Sequence, residues 1–213
     1  IFQAQGHIRA GALNFSGDYS LPIKTYEYFE NDPLESITNS LSKLNSNEGA
    51  AVQYVFRSAP RKWHNRGREI AKFMHRGMTY SDAVKKMGGG GFLGNAAKVF
   101  GFFGSFVKTR DPNKPVETVD QSQPLSAMEQ ERAKGMEEKT SKSAFEVNIR
   151  AVVSTPDISR SDAMLNDILN SYNQYNIYEF GNSFKAVIPT KDHDLINSFI
   201  YRQFIDKYRL VLN

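Results

Sequence analysis

The residue types that could carry out chemistry are few, and their spacing matches no catalytic motif. The chain of 213 residues has no cysteine, which excludes disulfides, thiolate nucleophiles and cysteine-based zinc sites. Its histidines are scattered without the spacing of metal ligands: His7, His64, His75 and His193. Neither a Gly-x-Ser-x-Gly nor a His-Glu-x-x-His motif occurs. We therefore predict no catalytic residue, no metal and no cofactor, and we expect that this chain is not itself an enzyme.

A glycine-rich run at residues 89–94 matches the dinucleotide fingerprint G-x-G-x-x-G in its letters. In that fingerprint the glycines follow a strand and open a helix within a βαβ unit. Here the run follows a basic stretch that favours a helix, so we interpret it as a hinge. No Walker A loop is present either, since Lys108 follows Val107 and not a glycine.

Positive charge is concentrated between residues 57 and 86, which contain nine basic and two acidic residues. Its candidate basic face lies on and just before a predicted helix: Arg61, Lys62, Arg66, Arg68 and Lys72. Such a face could follow a phosphate backbone while Trp63 stacks on a base. The alternative is a solvated face with Trp63 in the core, and we favour it because no RNA-recognition or helix-turn-helix motif is present.

A second candidate surface is the phenylalanine-rich segment 92–107. On a helix its apolar side chains would share one broad face, with these candidate membrane or partner contacts: Phe92, Leu93, Phe100, Phe103 and Phe106. The segment would be about 24 Å long, too short to span a bilayer but suited to its interface. Packing against protein is the alternative that we favour.

The pattern of apolar residues predicts an α+β fold. A hydrophobic content of 40% and a charged content of 23% are typical of a globular chain. Periodicity predicts strands over 8–15, 21–28, 50–56, 145–153, 183–188 and 208–212, and helices over 32–44, 62–76, 81–87, 126–142, 159–172 and 192–204. We expect Ser126 and Ser159 to cap their helices, the strand over 50–56 to be central, and the alternating strand over 145–153 to be half-buried. We predict two ferredoxin-like α/β sandwich lobes, residues 1–77 and 125–213, separated by a Gly/Phe-rich helical insertion and linker at 78–124.

Several phrases of the sequence resemble a known bacterial family. They are residues 21–27 (Leu-Pro-Ile-Lys-Thr-Tyr-Glu) leading into 32–34 (Asp-Pro-Leu), then 48–53, 128–139 and 145–150. The chain is similar to the region that precedes the motor in type IV secretion and conjugative DNA-transfer ATPases, which are related to the HerA and FtsK motors. No ATPase residue can be assigned within the chain, because the resemblance covers structural phrases and not the motor.

This resemblance implies a non-catalytic assembly or substrate-engagement region of a DNA or protein transfer motor. It also implies a cytoplasmic position at the inner face of the membrane, within a longer membrane-anchored protein. The chain begins at Ile1, and we expect it to be part of such a longer protein. Expected partners are the membrane surface, other subunits of a secretion complex or a second copy. A nucleic-acid-binding module and a purely structural subunit contact are the alternatives.

Overall fold

The computed structural model describes residues 6–29, 32, 34–88 and 125–213, and its fold is α+β. Five strands form one antiparallel sheet: β1 (His7–Phe15), β2 (Gly49–Ser58), β3 (Phe145–Thr155), β4 (Phe184–Val187) and β5 (Leu210–Leu212). The described α-helices are α1 (Leu34–Ser42), α2 (Trp63–His75), α3 (Tyr80–Gly88), α4 (Ala127–Ser141), α5 (Ile158–Asn170) and α6 (His193–Ile200).

The sheet joins strands from both of the predicted lobes. Its order is β2-β3-β1-β4, and β5 pairs with β3 beyond the end of β1. The elements from β1 to β4, leaving out α2, α3 and α4, follow the order β-α-β-β-α-β of a split βαβ motif once and not twice. The prediction of two ferredoxin-like lobes is therefore not confirmed, and the predicted domain boundaries stay predictions.

Strand β3 is buried on both faces, whereas its alternating sequence predicts one buried face. Val147, Ile149 and Val153 pack against α1 and α5 in the larger core. On the opposite face, Val152 packs against α6, while Asn148 and Arg150 hydrogen-bond main-chain groups of the segment that follows this helix. The C-terminal segment thus covers the face that the sequence pattern leaves to solvent.

The chain between β2 and β3 contributes a helical layer of α2, α3 and α4. Ile70, Met74 and Ala83 pack with Met136 of α4 around a small apolar core. Gly67 allows the close approach of α2 to α4, because a β-carbon at this position would lie 2.5 Å from Thr140 Cγ2. The predicted cap of α4 by Ser126 is confirmed, since its hydroxyl accepts from the Glu129 amide.

Further sequence predictions differ from the structure. Residues 21–28 form a loop with a 3₁₀ turn at Tyr26–Tyr28 instead of a strand. Helix α5 is capped by Asp157 instead of Ser159, because the Asp157 carboxylate accepts from the Arg160 amide. Strand β2, predicted to be central, pairs only with β3 within the described ranges and so forms an edge of the sheet.

Candidate functional site

Two residues of the predicted basic face come together at a cavity of about 500 Å³. Arg61 and Arg68 line it, whereas Lys62 and Lys72 are exposed outside its lining. Arg66 is directed elsewhere, because its guanidinium donates to Asp18. We call this cavity the cationic pocket; it is lined by Ser58, Ala59, Arg61, Trp63, His64, Asn65, Arg68, Ser143, Ala144 and Phe145.

The cationic pocket lies where the helical layer joins the sheet. Its lining comes from the end of β2, the first turns of α2 and the residues before β3. The residue after β2 and the residue before β3 are held together there, since the Ala59 amide donates to the Ala144 carbonyl at 3.1 Å. Ser58 also lies opposite Phe145 in the β2–β3 register. The walls of the pocket are therefore positioned by the sheet itself.

The charges of the pocket are of one sign, since its lining contains no Asp or Glu. Arg61 is exposed and has no ion pair within the described part of the chain. Arg68 is also exposed, and it donates to the Thr140 carbonyl at 3.3 Å. His64 Nδ1 lies 2.6 Å from the same carbonyl, which can only accept, so Nδ1 carries the proton and donates this bond.

Other cations of the 57–86 stretch are neutralised by carboxylates. Arg57 donates to Glu146 at 2.7 Å and to Asp206 at 2.6 Å. The hydrogen bond to Glu146 raises the pKa of Arg57. Lys72 lies 4.0 Å from Glu69, but both side chains are about half exposed, so this pair is weak and leaves the amine accessible. Arg61 and Arg68, which line the cationic pocket, have no carboxylate partner within the described residues.

Two exposed aromatic side chains border the pocket. Phe145 is 51% exposed and lines the pocket, and Phe56 is 66% exposed. Their ring centroids lie 5.9 Å apart in an edge-to-face arrangement. Trp63, the residue that the sequence offers for base stacking, is only 5% exposed and packs in the core, as the alternative interpretation expects. The period-two spacing of Tyr54 and Phe56 along β2 is the sequence signal for this aromatic face.

A larger groove of about 740 Å³ lies between residues 22–28, α4 and residues 176–180. Both lysine and glutamate side chains line it, so its charge favours no single class of ligand. The amine of Lys139, which is 5% exposed, donates to the carbonyls of Tyr19 and Leu21 at 2.8 and 3.0 Å. Burial lowers the pKa of Lys139 to about 7. These bonds give Lys139 a structural role in holding the 19–21 turn against α4.

The remaining candidate residues lie outside the described ranges: Phe92, Leu93, Phe100, Phe103 and Phe106. Membrane and partner contact through them stays a prediction. None of the described helices has the length and apolar character needed to cross a bilayer. Within the same ranges, no group of three or more His, Cys, Asp or Glu residues could hold a metal ion.

Comparison with known proteins identifies a family. No curated protein and no solved structure matches the chain. The model of one family, described as "Domain of unknown function (DUF8128)", matches residues 1–210. Because this match covers nearly the entire sequence, the chain belongs to the DUF8128 family.

Proposed function

We propose that the chain is a non-catalytic substrate-engagement region that binds nucleic acid through the cationic pocket. The observation that carries this proposal is the lining of the pocket, which combines Arg61 and Arg68 with no carboxylate. Guanidinium groups bind phosphate oxygens through two parallel hydrogen bonds, and an adjacent carboxylate would compete for them. The hydroxyl groups of Ser58 and Ser143 supply further donors for phosphate.

The exposed cations continue beyond the pocket, which favours a polymer of phosphates over a single small anion. Arg68 and Lys72 on α2 and Arg76, the residue directly after its last turn, are exposed and spaced by four residues, so they lie on one side of this helix. At a rise of 1.5 Å per residue this row is about 12 Å long. A nucleic-acid backbone presents phosphates at intervals along such a row.

The resemblance to the pre-motor region of conjugative DNA-transfer ATPases supports placing this activity in a transfer motor. Engagement of a DNA substrate there requires contact with nucleic acid, and assembly at the inner face of the membrane is part of the same proposal. A bilayer-spanning helix before residue 1 and a P-loop after residue 213 of the parent protein would support this placement.

Charge reversal in the pocket tests nucleic-acid binding. We expect the double variant Arg61→Glu and Arg68→Glu to lower affinity for a fluorescein-labelled oligonucleotide at least about tenfold, measured by fluorescence anisotropy. Two lost phosphate contacts should also make the slope of log K against log salt shallower by about 1.4 for single strands. Both side chains are exposed, so the variant should fold.

The matched control is Lys185→Glu and Lys191→Glu. This variant changes net charge by the same amount at exposed sites on and beyond β4, the opposite edge of the sheet from β2. We expect it to bind nearly as tightly as the unaltered chain. Equal losses in the two double variants would show a general charge effect and contradict binding at the pocket.

A further inference from the structure

The exposed aromatic residues beside the cationic pocket form a second surface, separate from its charged groups. Phe56 and Phe145 are exposed although large apolar side chains on a strand usually lie in the core. Both lie on the face of the sheet that carries Val147 and Ile149, beyond the part of that face covered by α1 and α5. The pair is therefore an extension of the sheet face toward the pocket.

The two rings lie next to a site for phosphate. Phe145 belongs to the lining of the pocket together with Arg61 and Arg68, and the Phe56 ring is 5.9 Å away from the Phe145 ring. Tyr54 lies two residues before Phe56 on the same face of β2 and is exposed. Its hydroxyl is hydrogen-bonded to the hydroxyl of Tyr172. Along β2 the rings of Tyr54 and Phe56 begin about 7 Å apart, at about 3.3 Å per residue.

Cations beside exposed rings are the combination that recognises single strands. Each base of a single strand has a free π-face, which can stack on an aromatic side chain while its phosphate meets a cation. In a duplex the bases stack on each other, so the same rings contribute little. A cationic surface alone does not distinguish the two forms, because both present phosphates.

We propose that Phe56 and Phe145 stack on the bases of single-stranded nucleic acid whose phosphates occupy the cationic pocket, and that they give the chain a preference for single strands. This inference rests on the proposed function and adds the class of substrate. Charge complementarity favours this occupant, since the pocket next to the rings has two arginines and no carboxylate. An apolar protein partner would gain nothing from that charge.

Removal of one ring tests the inference in the full chain. The probes are a labelled oligothymidylate of about 12 nucleotides, within the usual site sizes, and a blunt duplex of the same length. We expect the unaltered chain to bind the single strand more tightly. Phe56→Ala should lower single-strand affinity about tenfold and leave duplex affinity unchanged, whereas Phe56→Tyr, which keeps the ring, should retain the preference.

Tyr201→Ala is the control, because it removes an exposed ring at the end of α6, on the opposite face of the sheet. Thermal unfolding of each variant checks that the fold is kept. Binding of both probes with equal affinity, lost on charge reversal at Arg61 and Arg68, would leave the proposed function standing and overturn this inference. Binding of neither probe by the unaltered chain would overturn both. A changed oligomeric state of Phe56→Ala with unchanged single-strand affinity would assign the rings to a protein interface and also overturn the inference.

Discussion

Lys139 is a charged residue type in a place that favours its neutral form. Lys139 belongs to α4, and its amine is buried against the 19–21 turn, where it donates to two main-chain carbonyls. Burial lowers its pKa to about 7 from the ordinary value of 10.5. Between these two values the unfolded chain binds more protons than the folded chain, so this residue makes the folded state more stable as pH rises.

Replacement of Lys139 should therefore change the pH dependence of stability. We expect the unaltered chain to gain stability over Lys139→Met between pH 7 and pH 9, by on the order of 2 kcal/mol. Measurement below pH 10 is needed because burial raises the pKa of Tyr80 to about 12. Above pH 10 the unfolded chain loses this proton before the folded chain does, so the folded state becomes less stable as pH rises. Urea unfolding at each pH gives the free energies.

The control for this prediction is Lys134→Met, an exposed lysine on the same helix. Its unfolding free energy should follow the unaltered chain at every pH. Parallel pH profiles for Lys139→Met and the unaltered chain would show that Lys139 titrates normally in the folded state.

At the scale of single residues, the sequence predicted which side chains are cationic but not which of them are neutralised. Arg66 and Asp18 are 48 residues apart, and Arg57 and Glu146 are 89 apart, so no local pattern announces either pair. The exposure of Phe56 was equally hidden, because it depends on where α1 and α5 end over the sheet. The burial of Trp63 is predicted correctly, because the apolar face of its own helix includes it.

Helices α2 and α6 end in the same motif, and α2 uses the residue that this motif prefers. Gly77 has φ 85°, its amide donates to the Met74 carbonyl, and the Met78 amide donates to the Phe73 carbonyl. This is a Schellman motif, which needs a left-handed residue just after the helix. Glycine takes that conformation without a clash from a β-carbon.

Helix α6 closes with the same pair of bonds but has an arginine at the left-handed position. Arg202 has φ 54°, its amide donates to the Phe199 carbonyl, and the Gln203 amide donates to the Ser198 carbonyl. This closure explains why α6 ends at Ile200 although the apolar pattern extends to residue 204. A non-glycine residue is strained at this position.

The two helix ends give a paired prediction. Arg202→Gly should stabilise the chain by about 0.5–1 kcal/mol, and Gly77→Ala should destabilise it by about 1 kcal/mol. Urea unfolding monitored by circular dichroism measures both. Arg202→Ala removes the guanidinium but keeps a β-carbon, so it should gain less than Arg202→Gly. A gain as large in Arg202→Ala would assign the effect to the side chain instead of the backbone.

At the scale of elements, periodicity located every described α-helix and strand to within a few residues. It failed for residues 21–28, where alternating apolar residues form a loop because Lys24 pairs its amide with the Tyr175 carbonyl instead of with a strand. It also could not place β2 at an edge, since pairing partners are set by residues far along the chain.

The whole molecule depends on pairings that are distant in sequence. His7 lies opposite Thr155, and Gly49 lies opposite Ser154, so β3 receives both neighbours from the first third of the chain. The strand-helix repetition in the sequence suggested two self-contained units, whereas the structure uses the second half to complete the sheet of the first. Pairing at such separations also makes folding slow.

Division of the chain at the predicted lobe boundaries should therefore abolish folding. We expect residues 125–213 produced alone to give a poorly dispersed amide NMR spectrum and no cooperative urea transition, because β3 has lost β1 and β2. The full chain, which should unfold cooperatively, is the reference. A dispersed spectrum and a cooperative transition for 125–213 would support an independent second lobe.

The hydrogen bond between Ala59 and Ala144 closes the β2–β3 hairpin. The helical layer therefore takes the place of the turn that connects two adjacent antiparallel strands. Because β2 and β3 are in register up to Ser58 and Phe145, the residues between them can change in number without shifting any strand. The cationic pocket lies at the base of this turn, where the chain leaves β2 and where it enters β3. A ligand bound there would contact both the segment that leaves β2 and the segment that enters β3. It would therefore hold the helical layer against the sheet.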